Sequence, residues 1–266
     1  MKETRFNVQA SSMRALAQQL KPTAEAKGTP EANWSTWSVV EREVTEPDGS
    51  QMRQQVLCAE TAQPTLLLNV QKVLSTEEVE NAGVAVSLLT RDVDDCLAAL
   101  GQSDTRISLT QEGEAVISTA PFAGEDKPLK EFVLRGEPEH DFVMPDLAQP
   151  DCTLAQSFCL LDLLRSTVSV AAQTANAKKR VHIITHPKCL CVQSQSLGIE
   201  ALSEHHGCWQ QEPLGNDEFV LSIDAVRHLI GALNAFGSPT APLSMKRVGS
   251  CLVIKTEGVY AECEMM

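Results

Sequence analysis

Seven metal-capable side chains crowd one stretch of the chain: His182, His186, Cys189, Cys191, His205, His206 and Cys208. Imidazole and thiolate donors suit zinc, and four of them could close a tetrahedron. The spacing argues the other way. Neither cysteine pair forms a C-x-x-C knuckle. Cys189-Leu190-Cys191 is a C-x-C on an expected strand, where both thiols share one face as ordinary small core residues. No metal site is assigned and no cofactor is expected. Nucleophilic catalysis has less support still, because no Gly-x-Ser-x-Gly elbow, phosphate-cradling Gly-rich loop or His-Glu-x-x-His helix occurs. Trp34 and Trp37 could stack on a base, but their spacing on a strand places them on opposite faces, one packed and one exposed. Outside these, Lys178-Lys179-Arg180 is the densest basic run of the chain.

That run stands in an acidic background. Lys and Arg number 22 against 35 Asp and Glu, a formal charge of −13, so a generally basic nucleic-acid binder is excluded and any phosphate contact needs a locally sorted face. With 266 residues, 43% of them hydrophobic, the chain can bury the cores of two domains of about 150 residues or fewer. No apolar run approaches the ~18 residues that span a bilayer. The opening residues Met1 to Asn7 lack the apolar stretch of a secretory signal. Nine cysteines, an odd number without framework spacing, read as reduced thiols. Together these predict a soluble intracellular protein without a membrane partner.

The elements that would position the charges form an internal repeat. Residues 84–101 read as a strand running into a helix that Thr90 caps, with Asp92 near its positive end and Gly101 closing it. Residues 218–237 repeat the plan, with Ser222 in place of Thr90, Asp224 in place of Asp92 and Gly237 at the end. Three β-like runs follow each helix: 105–110, 114–120 and 129–135 in one case, and 242–246, 250–255 and 259–265 in the other. Two weaker copies complete the series. One has a strand over 5–9, a helix over 12–20 and strands near 34–44, 52–60 and 65–74. The other starts near Cys152, with a helix over about 156–170 and strands over 180–185, 190–194 and 199–205. Helix starts at Ser12, Arg91, Ser157 and Ile223 are 79, 66 and 66 residues apart. A unit with one small helix cannot cover both faces of its sheet, so the four should pair into two domains, 1–136 and 152–266. The proline-bearing stretch 137–151, with Pro138, Pro145 and Pro150, is the expected connector.

In this order of elements, and above all over 85–135 and 219–266, the chain resembles the DNA sliding clamps. That family includes the proliferating cell nuclear antigen, the bacterial polymerase beta subunit, checkpoint clamp subunits and viral processivity factors. The resemblance implies an α+β fold of two similar domains, each made of two strand–helix–three-strand units with helices on the inner face. It also implies a six-domain ring of three chains around double-stranded DNA, placed there by a clamp loader and bound by client proteins carrying short apolar motifs, without activity of its own. The long turn at 46–50, the divergent connector and the end at Met266 without an acidic tail favour a checkpoint-type subunit with two different partners. A replicative or viral homotrimeric processivity factor is the alternative within the family, and a zinc-dependent nucleic-acid enzyme the alternative outside it. Localisation follows: nuclear, or cytosolic for a viral or bacterial chain.

The resemblance turns the basic residues of the helix regions into phosphate contacts: Arg14, Lys21, Arg91, Arg165, Lys178, Lys179, Arg180 and Arg227. Asp92, Asp94 and Asp95 crowd the second helix and weaken the field at Arg91. Subunits should join by strand addition at 129–135 and 196–203, sealed by Phe132, Leu134, Ile199 and Leu202. Client motifs should enter a pocket of Met144, Leu147, Cys251 and Tyr260 beside the connector.

Overall fold

The computed structural model describes residues 2–22, 26, 28–45, 49–75, 79–120, 128–139, 142–171, 180–196 and 199–266. Two compact units emerge. The first holds Gly28–Ala62 and Asn69–Met144 with the N-terminal strand and helix, and the second holds Gln63–Leu68 and Pro145–Met266. No helix among the described residues is long and apolar enough to cross a membrane.

Residues 3–139 run β1 (Glu3–Gln9), α1 (Ala10–Gln19), β2 (Trp34–Thr45), β3 (Gln51–Gln63), β4 (Leu66–Leu74), β5 (Val79–Glu80) and β6 (Ala85–Leu89), then α2 (Thr90–Leu100), β7 (Asp104–Thr110), β8 (Glu114–Thr119), β9 (Glu131–Arg135) and β10 (Glu137–Glu139). One sheet has the order β5-β1-β7-β8-β9, and another contains β10-β6-β2-β3-β4. The leading strands are exchanged between repeats. β1 pairs antiparallel with β7, from Glu3↔Thr110 to Gln9↔Asp104, whereas β6 pairs with β2, from Trp34↔Leu89 to Ser38↔Ala85. Each repeat thus lends its first strand to its mate's sheet, and neither can complete a sheet alone. α1 packs on α2, burying Met13 and Leu16 of one and Val93 and Leu97 of the other at the helical spacing of their apolar stripes. β10 opens the stretch expected to be connector and pairs with β6.

The second unit runs β11 (Cys152–Leu154), α3 (Ser157–Ala171), β12 (Arg180–His186), β13 (Cys189–Ser196), β14 (Ile199–His206), β15 (Trp209–Gln211), β16 (Asp217–Ser222), α4 (Ile223–Ala235), β17 (Leu243–Val248), β18 (Cys251–Thr256) and β19 (Val259–Glu264). The same exchange recurs: β16 joins β12 in the sheet β14-β13-β12-β16, and β11 joins β17 in the sheet containing β19-β18-β17-β11-β15. α3 packs on α4.

Three local expectations are corrected. Thr90 does not cap α2. It is the first helical residue, Leu89 occupies the cap position, and the Thr90 hydroxyl is buried with no hydrogen-bond partner among the described residues. Ser222 does cap α4, accepting from the Ala225 N–H at 3.1 Å. Cys189 and Cys191 do share a face, but not the core face. Leu190 and Val192 take the inward positions against α3 and are fully buried, so strand alternation turns both thiols to the half-exposed side. Trp37 is fully buried, with its indole N–H on Ser35 Oγ at 2.8 Å, and Trp34 is half-buried rather than displayed.

Candidate nucleic-acid interface and sheet edges

The four helices carry Arg14, Arg91, Arg165 and Arg227, and against them Asp92, Asp94, Asp95, Asp162 and Asp224. Their tertiary pairing decides which cations are available. Asp94 lies between α1 and α2, 8% exposed, and takes both Arg14 Nε at 2.9 Å and Lys21 Nζ at 2.7 Å. Burial opposes ionisation of Asp94, but the hydrogen bonds from Lys21 and Arg14 outweigh it and hold the carboxyl below the ordinary carboxylate range. Arg91 is largely exposed and pairs with Asp95 one turn on, at 3.5 Å. Arg227 pairs with Asp224 at 3.3 Å. Arg165 differs from all of these: it donates to the amide oxygen of Asn234 on α4 and pairs with no carboxylate among the described residues. Arg180 is exposed at the head of β12, and Lys178 and Lys179 lie outside the described residues. A cation held by a carboxylate contributes little to the field at a phosphate, and of the expected set Arg165 and Arg180 are the ones without a carboxylate partner among the described residues.

The expected joining strands are both sheet edges among the described residues. β9 ends the five-stranded sheet and β14 ends the four-stranded one. In β9 the Thr119 N–H donates to Lys130 O and the Gly136 N–H to Gly113 O, so the hydrogen-bonded rungs alternate and the Val116↔Val133 rung lies between them. The N–H and C=O of Val133 therefore face the open edge. Phe132 and Leu134 are half-buried on the side of α2, and Val133 projects the other way at 54% exposure. In β14 the Gly207 N–H donates to Lys188 O, which by the same alternation turns the backbone of Leu202 outward. Leu202 is 56% exposed, and the Ile199 side chain lies outside the described residues.

The pocket expected beside the connector is only partly gathered. Cys251 stands opposite Glu264 and Tyr260 opposite Lys255, four rungs apart on the β18–β19 ladder, or about 13 Å. Lys255 pairs with Asp146, and Lys246 Nζ donates to Ala148 O at 2.8 Å, so residues 146–148 are clipped to β17 and β18 around half-buried Leu147. Leu147 thus falls near the Tyr260 rung and away from Cys251. Met144 is half-buried in the first unit. Sequence reading missed Arg247, whose guanidinium binds Asp217 Oδ1 at 2.6 Å and lies 4.8 Å over the Phe219 ring, joining β17 to β16. No local spacing signals this pair, because Asp217 lies 30 residues away and β16 and β17 belong to different sheets. None of the deeply buried thiols is an activated nucleophile, because burial pushes Cys58, Cys152 and Cys263 up to about 12.

No protein-family model matches the sequence, and no curated protein matches it. Solved structures do match. The DNA polymerase III beta subunit of Thermotoga maritima superposes with a TM-score of 0.69 at 14% identity, covering 98% of this chain and 64% of that one. The DNA polymerase sliding clamp of Bacillus subtilis gives 0.67 at 13% identity over 99% and 65%. The beta clamp of Helicobacter pylori, solved with a DNA ligase peptide, gives 0.68 at 11% identity over 98% and 66%. The chain thus spans about two-thirds or slightly less of the length of the structures it matches. With its paired strand–helix–three-strand repeats and superposition over nearly every residue, this chain has the DNA sliding-clamp fold.

Proposed function

We propose that the chain is a subunit of a ring-shaped sliding clamp that encircles duplex DNA and recruits partner proteins without catalysing a reaction. The observation that carries this reading is the likeness to bacterial clamps over 98–99% of the chain, combined with the edge strands β9 and β14, one in each unit, at the positions where strand addition would close a ring. Backbone groups at Val133 and Leu202, with Phe132, Leu134 and Ile199 beside them, would join neighbouring chains. Two domains, divided by a connector at 137–151, make three chains the natural closure of a six-domain ring. The helices line the hole in this reading. Their near balance of charge suits sliding, because sequence-independent phosphate contacts must be weak enough to exchange. Arg165, Arg180, Lys178 and Lys179 supply most of the attraction, with Arg14, Lys21, Arg91 and Arg227 contributing less. Client peptides with apolar anchors dock near Leu147 and Tyr260, with Met144 and Cys251 at the margins, and a clamp loader opens the ring.

Bacterial clamps as structural neighbours favour a homomeric, cytosolic processivity factor over a nuclear checkpoint subunit with two unlike partners. Two measurements test the proposal together: the mass of the purified chain, and its retention on nicked circular DNA after loading. A trimer that survives high salt on circles and is lost on linearisation supports the homomeric ring. A monomer that closes only with two other clamp-like chains supports the checkpoint type. Equal retention on circles and linear fragments overturns the clamp reading.

A further inference from the structure

The half-exposed face of the β12–β13–β14 sheet gathers soft donors that the clamp reading does not use. Cys189 and Cys191 project from that face with their sulfurs 3.5 Å apart. The register sets Cys189 opposite His206 and Cys191 opposite Glu204. The Gly207-to-Lys188 bond fixes both as non-hydrogen-bonded rungs, where facing side chains approach most closely. Glu204 thus stands across from Cys191, and His206 Nε2 lies 3.3 Å from a Glu204 oxygen. Two thiols in contact on one strand therefore face a carboxylate and an imidazole in contact on the next. Among the described residues no three such groups have already converged on one point. Convergence is short, however: two zinc–sulfur bonds of about 2.3 Å at a tetrahedral angle separate the sulfurs by roughly 3.8 Å.

We propose that Cys189, Cys191, Glu204 and His206 form a four-donor site for a zinc-class divalent cation, stapling the edge strand β14 to β13. Thiolate and imidazole donors select zinc over magnesium or calcium, which require oxygen. Binding replaces two thiol protons, which pass to solvent, with two metal–sulfur bonds, and involves no oxidation. The site is remote in character from catalysis, since all four positions are filled by protein. It stands whether or not the chain forms a ring.

The test uses the full chain, kept reduced and stripped with a chelator, then titrated with Zn²⁺ or Co²⁺ alone. One equivalent should bind, cobalt should give a thiolate charge-transfer band, and Zn²⁺ should protect Cys189 and Cys191 from iodoacetamide as mapped on peptides. C189S/C191S should weaken binding by more than about 100-fold, beyond the loss typical of an outer-shell partner. E204Q and H206Q should each weaken it about tenfold or more, while C251S should leave it unchanged. Absence of stoichiometric binding, alkylation of both thiols despite Zn²⁺, or undiminished affinity in the double variant each overturns the site. The alkylation readout needs no variant and decides the matter if the double variant fails to fold.

Discussion

The two helix pairs are built alike and charged differently. Between α1 and α2 a buried carboxylate, Asp94, collects Arg14 and Lys21. Between α3 and α4 the corresponding contact is an amide, Asn234, which meets Arg165 without neutralising it. The first arrangement is a lock, because a buried carboxylate with two cationic partners ties the helices together and offsets their charge. The second leaves its cation available to an outside anion. Similar numbers of basic residues on corresponding helices thus differ in how many a carboxylate holds.

The sharpest break with this comparison would come from the edges, where the units should behave alike. V133P removes a backbone donor that faces away from β8, so the monomer should fold and assembly should be lost entirely; L202P should do the same from the other unit. Sedimentation together with circular dichroism reads both properties. Intact rings from either variant would assign the wrong edge.

Next in size is an exchange of the two helix contacts. D94N should destabilise the chain by about 2 kcal/mol, since two charge-assisted hydrogen bonds lose their ionised acceptor. It should also strengthen DNA retention several-fold by removing the carboxylate charge beside Arg14 and Lys21. N234D should quench Arg165 and weaken retention, with a shallower salt dependence. Denaturant melts and salt-dependent binding check the pair, and a D94N protein that binds DNA no better would show that the α1 cations do not face it. The same carboxylate sets an acid limb. Because its folded pKa lies below the unfolded value of about 3.9, its stabilisation is complete above that pH and fades as pH falls through the folded value. Melts of D94N should lack that part of the decline.

The smallest effects separate the helix starts. S222A should cost about 1 kcal/mol by leaving the Ala225 N–H without its cap. T90V should lie within about 0.5 kcal/mol of the parent or slightly above it, since the hydroxyl it deletes is buried without a partner. Thermal melts of the two single variants suffice. Equal losses would mean that Thr90 finds a partner in solution.

Much of the architecture was legible because repeats advertise themselves through local rules. Leu97 and Leu229 mark the buried stripes of α2 and α4, and Ser222 and Gly237 punctuate the second of these helices. The i,i+4 pair Arg91–Asp95 and the i,i+3 pair Asp224–Arg227 could be read from spacing alone. Asp94 could not, because its partners lie 80 and 73 residues away. Cys189 and Cys191 were assigned to one face correctly, yet alternation cannot say which face is buried until a helix packs on one of them.

By itself, then, the sequence determined the number and order of the repeats, since hydrophobic period and turn chemistry act over a few residues. Only the tertiary structure decided that paired repeats exchange their first strands, which cations a carboxylate holds, and that β9 and β14 lie at sheet edges. Those outcomes depend on contacts between segments 50 to 100 residues apart, such as Thr36 with Ser87 and Thr105 with Val8, whose selection rests on the summed packing of a whole unit.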